Sequence, residues 1–327
     1  LIVCTNAHDP ITAMTGDHGD SGDDGRSPYY NRAMQRPVFQ WRLRSRTVEL
    51  GPRTLAMGIL NVTPDSFSDG GRFLARDHAV AHALKMLDEG ADLLDMGGES
   101  TRPGTPVAES GIPAAEELRR ILPVIEDVLR ERPKAILSVD TYKAEVARAA
   151  VNAGCEIVND VSAMRWDEQM AATAGELKCG VILMHTRGRP QEWRNLEPSA
   201  DIVAEVKTEL RDYAQAALDR GIAKDHIMLD VGIGFGKKFD QNYPLLAGLN
   251  QLQDLGFPLL VGTSRKSFIG RTLAVDGKDA PADQRLNGSL AAATASVLKG
   301  AHMVRVHDVK AAVEAVKIAD EILRFSK

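Results

Sequence analysis

The stretch HAVAHALKMLDEGADLLDMGGESTRPG, residues 78–104, decides the fold. Val80, Ala83, Leu84 and Leu87 recur at helical spacing on one stripe, and Gly90 supplies a helix stop. DLLDMG (92–97) then runs nearly continuously apolar, as a parallel strand buried on both faces does. The chain breaks from it into a polar, glycine-bearing loop. This is one helix-then-strand unit, and the same unit recurs along the chain.

Strand-like runs stand at 54–60, 92–97, 135–140, 156–160, 180–185, 227–232, 258–263 and 302–307, with segments of helical periodicity between them. The segment after the fourth run, WDEQMAATAGELK, carries the faintest helical pattern. Eight β–α units in about 270 residues predict an α/β chain closed into a (β/α)8 TIM barrel. The alternative, a doubly wound open sheet, lacks a G-x-G-x-x-G fingerprint after its first strand.

The 327 residues suffice for one large domain, and 44% hydrophobic content supplies its core. A formal charge of −5 argues against a nucleic-acid partner. No apolar run reaches the ~18 residues of a membrane span. Cys4, Cys155 and Cys179 form no C-x-x-C pair, and an odd cysteine count suits a reducing, cytoplasmic setting. Residues 1–36 are polar and acidic (GDHGDSGDDG), the composition of a disordered tail, and Met34 is a suitable internal start. Residues 37–327 are assigned to the barrel.

Barrel enzymes carry their chemistry at the C-terminal ends of the strands. The sequence places Asn61, Asp95, Asp140, Asn159 with Asp160, His185, Asp230, the Ser264-Arg265-Lys266 run, and Arg305 with His307 at those eight ends. A lone strand-end acid is ordinarily a cap, and Asp160 and Asp308 are assigned that role, while His185 reads equally as a satisfied core histidine. Polar groups at all eight ends form a mouth. Asp95, Asp140, Asn159 and Asp230 make an acceptor-rich floor for the donor edge of a fused heterocycle, with Lys266 as a donor. Arg305 and His307, on one side of the last strand, stand with TSRKS where barrels bind phosphate. The polar loop of GILNVTPDSFSDGGRF (58–73), after Asn61, is either a mere connection or the working edge of this mouth.

GILNVTPDSFSDGGRF, DLLDMGGESTRPG, SVDTYKAEVARAA, IVNDVSA, LMHTRG, LDVGIGFGK, GTSRKSFIG and VRVHDV resemble, in order, the motifs of the dihydropteroate synthase family. The resemblance covers about residues 54–310. It implies a transferase that joins (7,8-dihydropterin-6-yl)methyl diphosphate to 4-aminobenzoate in tetrahydrofolate biosynthesis, releasing diphosphate. By residue, it implies Asp140, Asn159, Asp230, Lys266 and Arg305 for the pterin ring, and Thr101, Arg102, Arg305 and His307 for the diphosphate. Phe67, Pro103, Lys266 and Ser267 would face 4-aminobenzoate, and Asn61 would hold Mg²⁺. Asp140, Lys266, Arg305 and His307 carry the chemistry in this reading, and a homodimer is expected.

Val231 and Ile233 depart from the family pattern, which has Pro and Phe there. The basic stretch RGRPQEWR (187–194) has no assigned role and reads as an exposed loop. Competing readings are a pterin-binding methyltransferase barrel and a non-catalytic paralogue. The diphosphate-suited TPDSFSDGG, TSRKS and RVHDV favour the synthase over the first, and the full ligand set favours it over the second.

Overall fold

The computed structural model describes residues 36–62, 72–99 and 111–326. A short antiparallel hairpin, β1 (Phe39–Arg42) and β2 (Thr47–Leu50), comes first. Then come the eight barrel strands: β3 (Leu55–Asn61), β4 (Leu93–Gly97), β5 (Leu137–Asp140), β6 (Ile157–Asp160), β7 (Gly180–Met184), β8 (Ile227–Asp230), β9 (Leu259–Val261) and β10 (Met303–Val306). All pair in parallel, and β10 pairs back onto β3, so the sheet is a closed barrel. Each run expected from the sequence holds a strand.

The described helices are α1 (Arg72–Asp88), α2 (Ala114–Glu131), α3 (Ala144–Asn152), α4 (Met170–Leu177), α5 (Ile202–Asp219), α6 (Asn242–Ala247), α7 (Ser267–Thr272), α8 (Leu286–Leu298) and α9 (Val309–Phe325). The faint fourth segment is thus helical. α5 is capped by Asp201, whose carboxylate accepts from the Val203 and Ala204 amides. None of the described helices is long and apolar enough to cross a membrane. Cys155 and Cys179 are buried free thiols.

Strand alternation sorts the side chains into two cores. Leu94, Leu137, Val139, Val158, Leu183, Leu229, Val261 and Val304 point outward beneath the helices. Met57, Leu93, Ile157, Ile182, Met228, Leu260 and Met303 point into the barrel and fill its lower half. Two residues further along the same inward-facing rows come Asp95, Asn159, Met184, Asp230 and Arg305. The inward parity that is apolar at the bottom is therefore mostly polar at the mouth, Met184 being the exception in this row.

The hairpin was not foreseen. Trp41, Leu43 and Leu50 join the inner core and close the bottom of the barrel, and the Trp41 indole donates to His226 O at 2.9 Å. Gly180 permits this approach, since a Cβ there would lie 2.8 Å from Leu43 Cδ2. Arg36, the last residue of the tail as drawn from the sequence, is tied into the fold. It donates to Ala301 O at 2.8 Å and to Asp320 at 2.6 Å.

Candidate active site

Arg305 organises the mouth. Its Nε donates to Asp95 Oδ2 at 2.6 Å and its Nη2 to Asp140 Oδ2 at 2.7 Å, so one guanidinium bridges two strand-end carboxylates. Asn159 Nδ2 also donates to Asp95 Oδ2, at 2.9 Å. The outer oxygens are left over. Asp95 Oδ1 and Asn159 Oδ1 are buried with no partner among the described residues. Buried acceptors are rarely left bare, so this pair marks where a ligand's donors belong.

Asp230 accepts the Gly232 amide on Oδ1 at 2.8 Å, and burial pushes its carboxyl up to about 6. Asp140 is likewise pushed upward by burial, against the pull of Arg305. Lys266 stands with its ammonium 4.0 Å above the Phe235 ring. Burial, reinforced by Arg305, brings Lys266 down to about 8. The loop carrying Lys266 is braced from behind: Arg265 takes the left-handed conformation (φ 57°), donates to both oxygens of Asp308 at 3.0 and 2.6 Å, and gives its amide to Ser289.

His307 is uncharged in the free protein, pushed down to about 3 by burial and then by Arg305 and Arg265. Ser264 Oγ accepts the His307 backbone amide at 3.2 Å and lies 3.0 Å from Nδ1. The hydroxyl keeps a second lone pair, so this contact is made with either imidazole tautomer. His307 is therefore a neutral imidazole, and not the cation that its place beside a phosphate site suggests.

Two expectations need correction. His185 does not join the mouth. It follows inward-facing Met184, so alternation turns it outward, where it meets Lys237 Nζ at 2.9 Å and Glu209 at 3.3 Å. Asp308 is an ion-pair partner of Arg265 and makes no side-chain cap bond to α9. The basic stretch at 187–194 is a largely exposed loop, as read from the sequence, anchored at two points. Trp193 packs edge-on against Phe235 with ring centres 5.5 Å apart, and Arg187 pairs with Glu205 at 2.6 Å. Asp160 does act as a local cap, accepting from Ser162 and from the Met164 amide.

Asn61 ends β3, half-buried, opposite Gly97 of β4. Ser267 is exposed at the start of α7, next to Lys266. Phe67, Thr101, Arg102 and Pro103 lie outside the described residues. Glu99 marks the near edge of one such stretch: it pairs with Lys143 and accepts the Tyr142 hydroxyl and the Ile112 amide, both at 3.2 Å. Val231 and Ile233 sit in the outer core, so those departures alter packing behind the pocket. Phe235 and Lys237 went unread in the sequence, because a Gly-rich loop does not announce which of its side chains turn inward.

The Pterin binding enzyme family matches residues 57–307. The dihydropteroate synthase of Synechocystis is 44% identical over 274 residues, covering 84% of this chain and 92% of that one. The solved structure of Xanthomonas albilineans dihydropteroate synthase with 4-aminobenzoic acid matches with a TM-score of 0.78 at 43% identity, covering 86% of this chain and 98% of that one. The same enzyme with 7,8-dihydropteroate matches with a TM-score of 0.73 at 41% identity, covering 84% and 95%. The chain belongs to the pterin-binding enzymes and, within them, to the dihydropteroate synthases.

Proposed function

We propose that the barrel mouth joins (7,8-dihydropterin-6-yl)methyl diphosphate to 4-aminobenzoate by dissociative substitution, giving 7,8-dihydropteroate. The observation that carries this reading is the pair of bare acceptors, Asp95 Oδ1 and Asn159 Oδ1, buried beside Asp140, Asp230 and Lys266. A dihydropterin offers ring N–H and exocyclic amine donors, which Asp230 and Asn159 accept. It also offers ring acceptors, to which Lys266 donates.

The C–O bond to diphosphate breaks and its electron pair leaves with the diphosphate. Positive charge at the exocyclic methylene spreads into the dihydropterin ring, with the Asp140 carboxylate as counter-charge. Arg305 keeps Nη1 for the departing phosphates, since Nε and Nη2 are held by carboxylates. His307 contributes an uncharged imidazole to the same site. The lone pair of the 4-aminobenzoate nitrogen then forms the C–N bond, and its proton passes to water or the released diphosphate. No covalent enzyme intermediate is required. Thr101 and Arg102 complete the diphosphate site in this reading, and Phe67, Pro103 and Ser267 the 4-aminobenzoate pocket.

A Mg²⁺ ion fits this mouth as a companion of the diphosphate. Among the described residues Asn61 would hold it through its neutral amide oxygen, and the ion would supply neutralisation of phosphate charge. A homodimer accounts for the apolar surface of α6–α8, where Tyr243, Leu273, Val275 and Leu286 are exposed, and sedimentation velocity reads it directly.

The test is diphosphate release from the dihydropterin diphosphate with Mg²⁺, with and without 4-aminobenzoate. Release that requires 4-aminobenzoate and yields dihydropteroate is expected. Tight pterin binding with no turnover would overturn the reading.

A further inference from the structure

Lys237 ends the loop 232–237 after β8 and is buried, only 7% exposed. Its Nζ lies 2.7 Å from Gly232 O, 3.2 Å from Phe235 O, 3.3 Å from His185 O and 2.9 Å from His185 Nδ1. Three N–H groups thus serve four acceptors, and the loop is folded about its own ammonium. Gly232, Gly234 and Gly236 all have positive φ (62°, 82° and 67°), the conformation that lets these carbonyls turn inward. A Cβ at Gly232 would fall 1.8 Å from His185 O, so no larger residue fits there.

Burial brings Lys237 down to about 7, and a carboxylate stands on the far side of the imidazole. His185 Nε2 faces Glu209 Oε2 at 3.3 Å, and Glu209 also accepts the Tyr213 hydroxyl. His185, Glu205 and Glu209 are close enough together to suggest a metal site. Two contacts speak against it. Glu205 is held by Arg187, and a histidine bound to metal through Nε2 carries its proton on Nδ1, where Lys237 already presents an ammonium.

We propose that Lys237 is a positioning residue for ring binding: by gathering the Gly232 and Phe235 carbonyls it sets Asp230 and Lys266 without meeting substrate. Asp230 is oriented by the Gly232 amide at 2.8 Å, and Lys266 rests on the Phe235 ring at 4.0 Å. Trp193 buttresses that ring from the other loop. Loss of the ammonium leaves the buried carbonyls without a donor, and the loop shifts to find water or other partners.

The inference rests on Asp230 and Lys266 holding the pterin ring. The experiment is steady-state kinetics on Lys237→Met, Phe235→Ala and the double variant, with Asp230→Asn and Trp41→Ala as references. Lys237→Met is expected to raise the KM for dihydropterin diphosphate about tenfold or more, with kcat within about threefold and the KM for 4-aminobenzoate unchanged. The double variant is expected to fall short of the product of the two single effects, because Phe235 lies on one of the two routes by which Lys237 acts. Trp41→Ala is expected to lower thermal stability and leave KM at the wild-type value, which separates positioning from general destabilisation. If Lys237→Met is insoluble, Lys237→Gln, which keeps an N–H donor, is expected to show a smaller rise in the same KM. A KM within twofold of wild type, or effects of Lys237 and Phe235 that multiply as independent sites, overturns the proposal. Should Asp230→Asn also leave KM unchanged, the ring-binding reading itself falls. A raised KM in Asp230→Asn beside an unchanged one in the Lys237 variant removes only this inference.

Discussion

In the proposed reading Asp230 and Lys266 act as a matched acceptor and donor for the pterin ring, and their environments set a pH window. Below about 6 Asp230 takes up a proton and stops accepting from the ring; above about 8 Lys266 loses its charge and a donor. We therefore expect kcat/KM for the dihydropterin diphosphate to fall on both sides of that window. Asp230→Asn is expected to weaken pterin binding about a hundredfold, the loss of a charge-assisted hydrogen-bond pair at a buried site. It is also expected to flatten the acid limb, which a pH series on both proteins separates from titration of the diphosphate itself. Unchanged affinity, measured by calorimetry with pteroic acid, would sink the assignment of Asp230.

At the scale of elements, the β1–β2 hairpin behaves as a plug for the lower barrel. Trp41 is among the largest fully buried side chains, and its indole also holds His226 O. Truncating a buried tryptophan costs roughly 3–5 kcal/mol through lost transfer energy and the cavity left behind. Trp41→Ala is expected to lose that much in urea unfolding while its site, at the opposite end of the barrel, keeps native affinity for pteroic acid. An unchanged unfolding midpoint would make the hairpin a mere appendage.

For the molecule as a whole, buried neutral histidines couple the closed barrel to acidity. His302 is buried beneath the barrel, with Nδ1 accepting the Leu259 amide at 3.1 Å and Nε2 donating to Pro37 O at 3.0 Å. Burial lowers it from 6.5 to about 4. As pH falls below 6.5 the unfolded chain binds the proton first, so this contribution, full above 6.5, is lost between there and about 4. By pH 5 the loss is about 2 kcal/mol. Raised carboxylates such as Asp160 and Asp230 act with the opposite sign, so the comparison must be between proteins. His302→Gln keeps a donor and an acceptor and cannot charge. Its denaturation free energy is expected to fall less than that of wild type between pH 7 and 5, and parallel curves would refute the role given to His302.

The barrel was legible in the sequence because double burial imposes its own signature: a strand covered on both faces must be apolar at nearly every position, and its polar exceptions then stand out. Asp95, Asp140, Asn159, Asp230 and Arg305 could be found for that reason. The same pattern hides parity. His185 sits one residue beyond an inward-facing position and turns away from the mouth, a distinction that pleating makes and composition does not. The hairpin plug has strands of four residues, too short to show a period. The Lys237 cage and the Phe235–Lys266 contact depend on glycines whose left-handed backbone fixes which carbonyls converge. The sequence by itself determined the closed α/β architecture and the chemical kind of its mouth, since burial acts on residue type. Only the tertiary structure decided which polar groups share that mouth, which charges cancel and which loop carries which, because these follow from side-chain direction and from contacts between residues far apart in the chain.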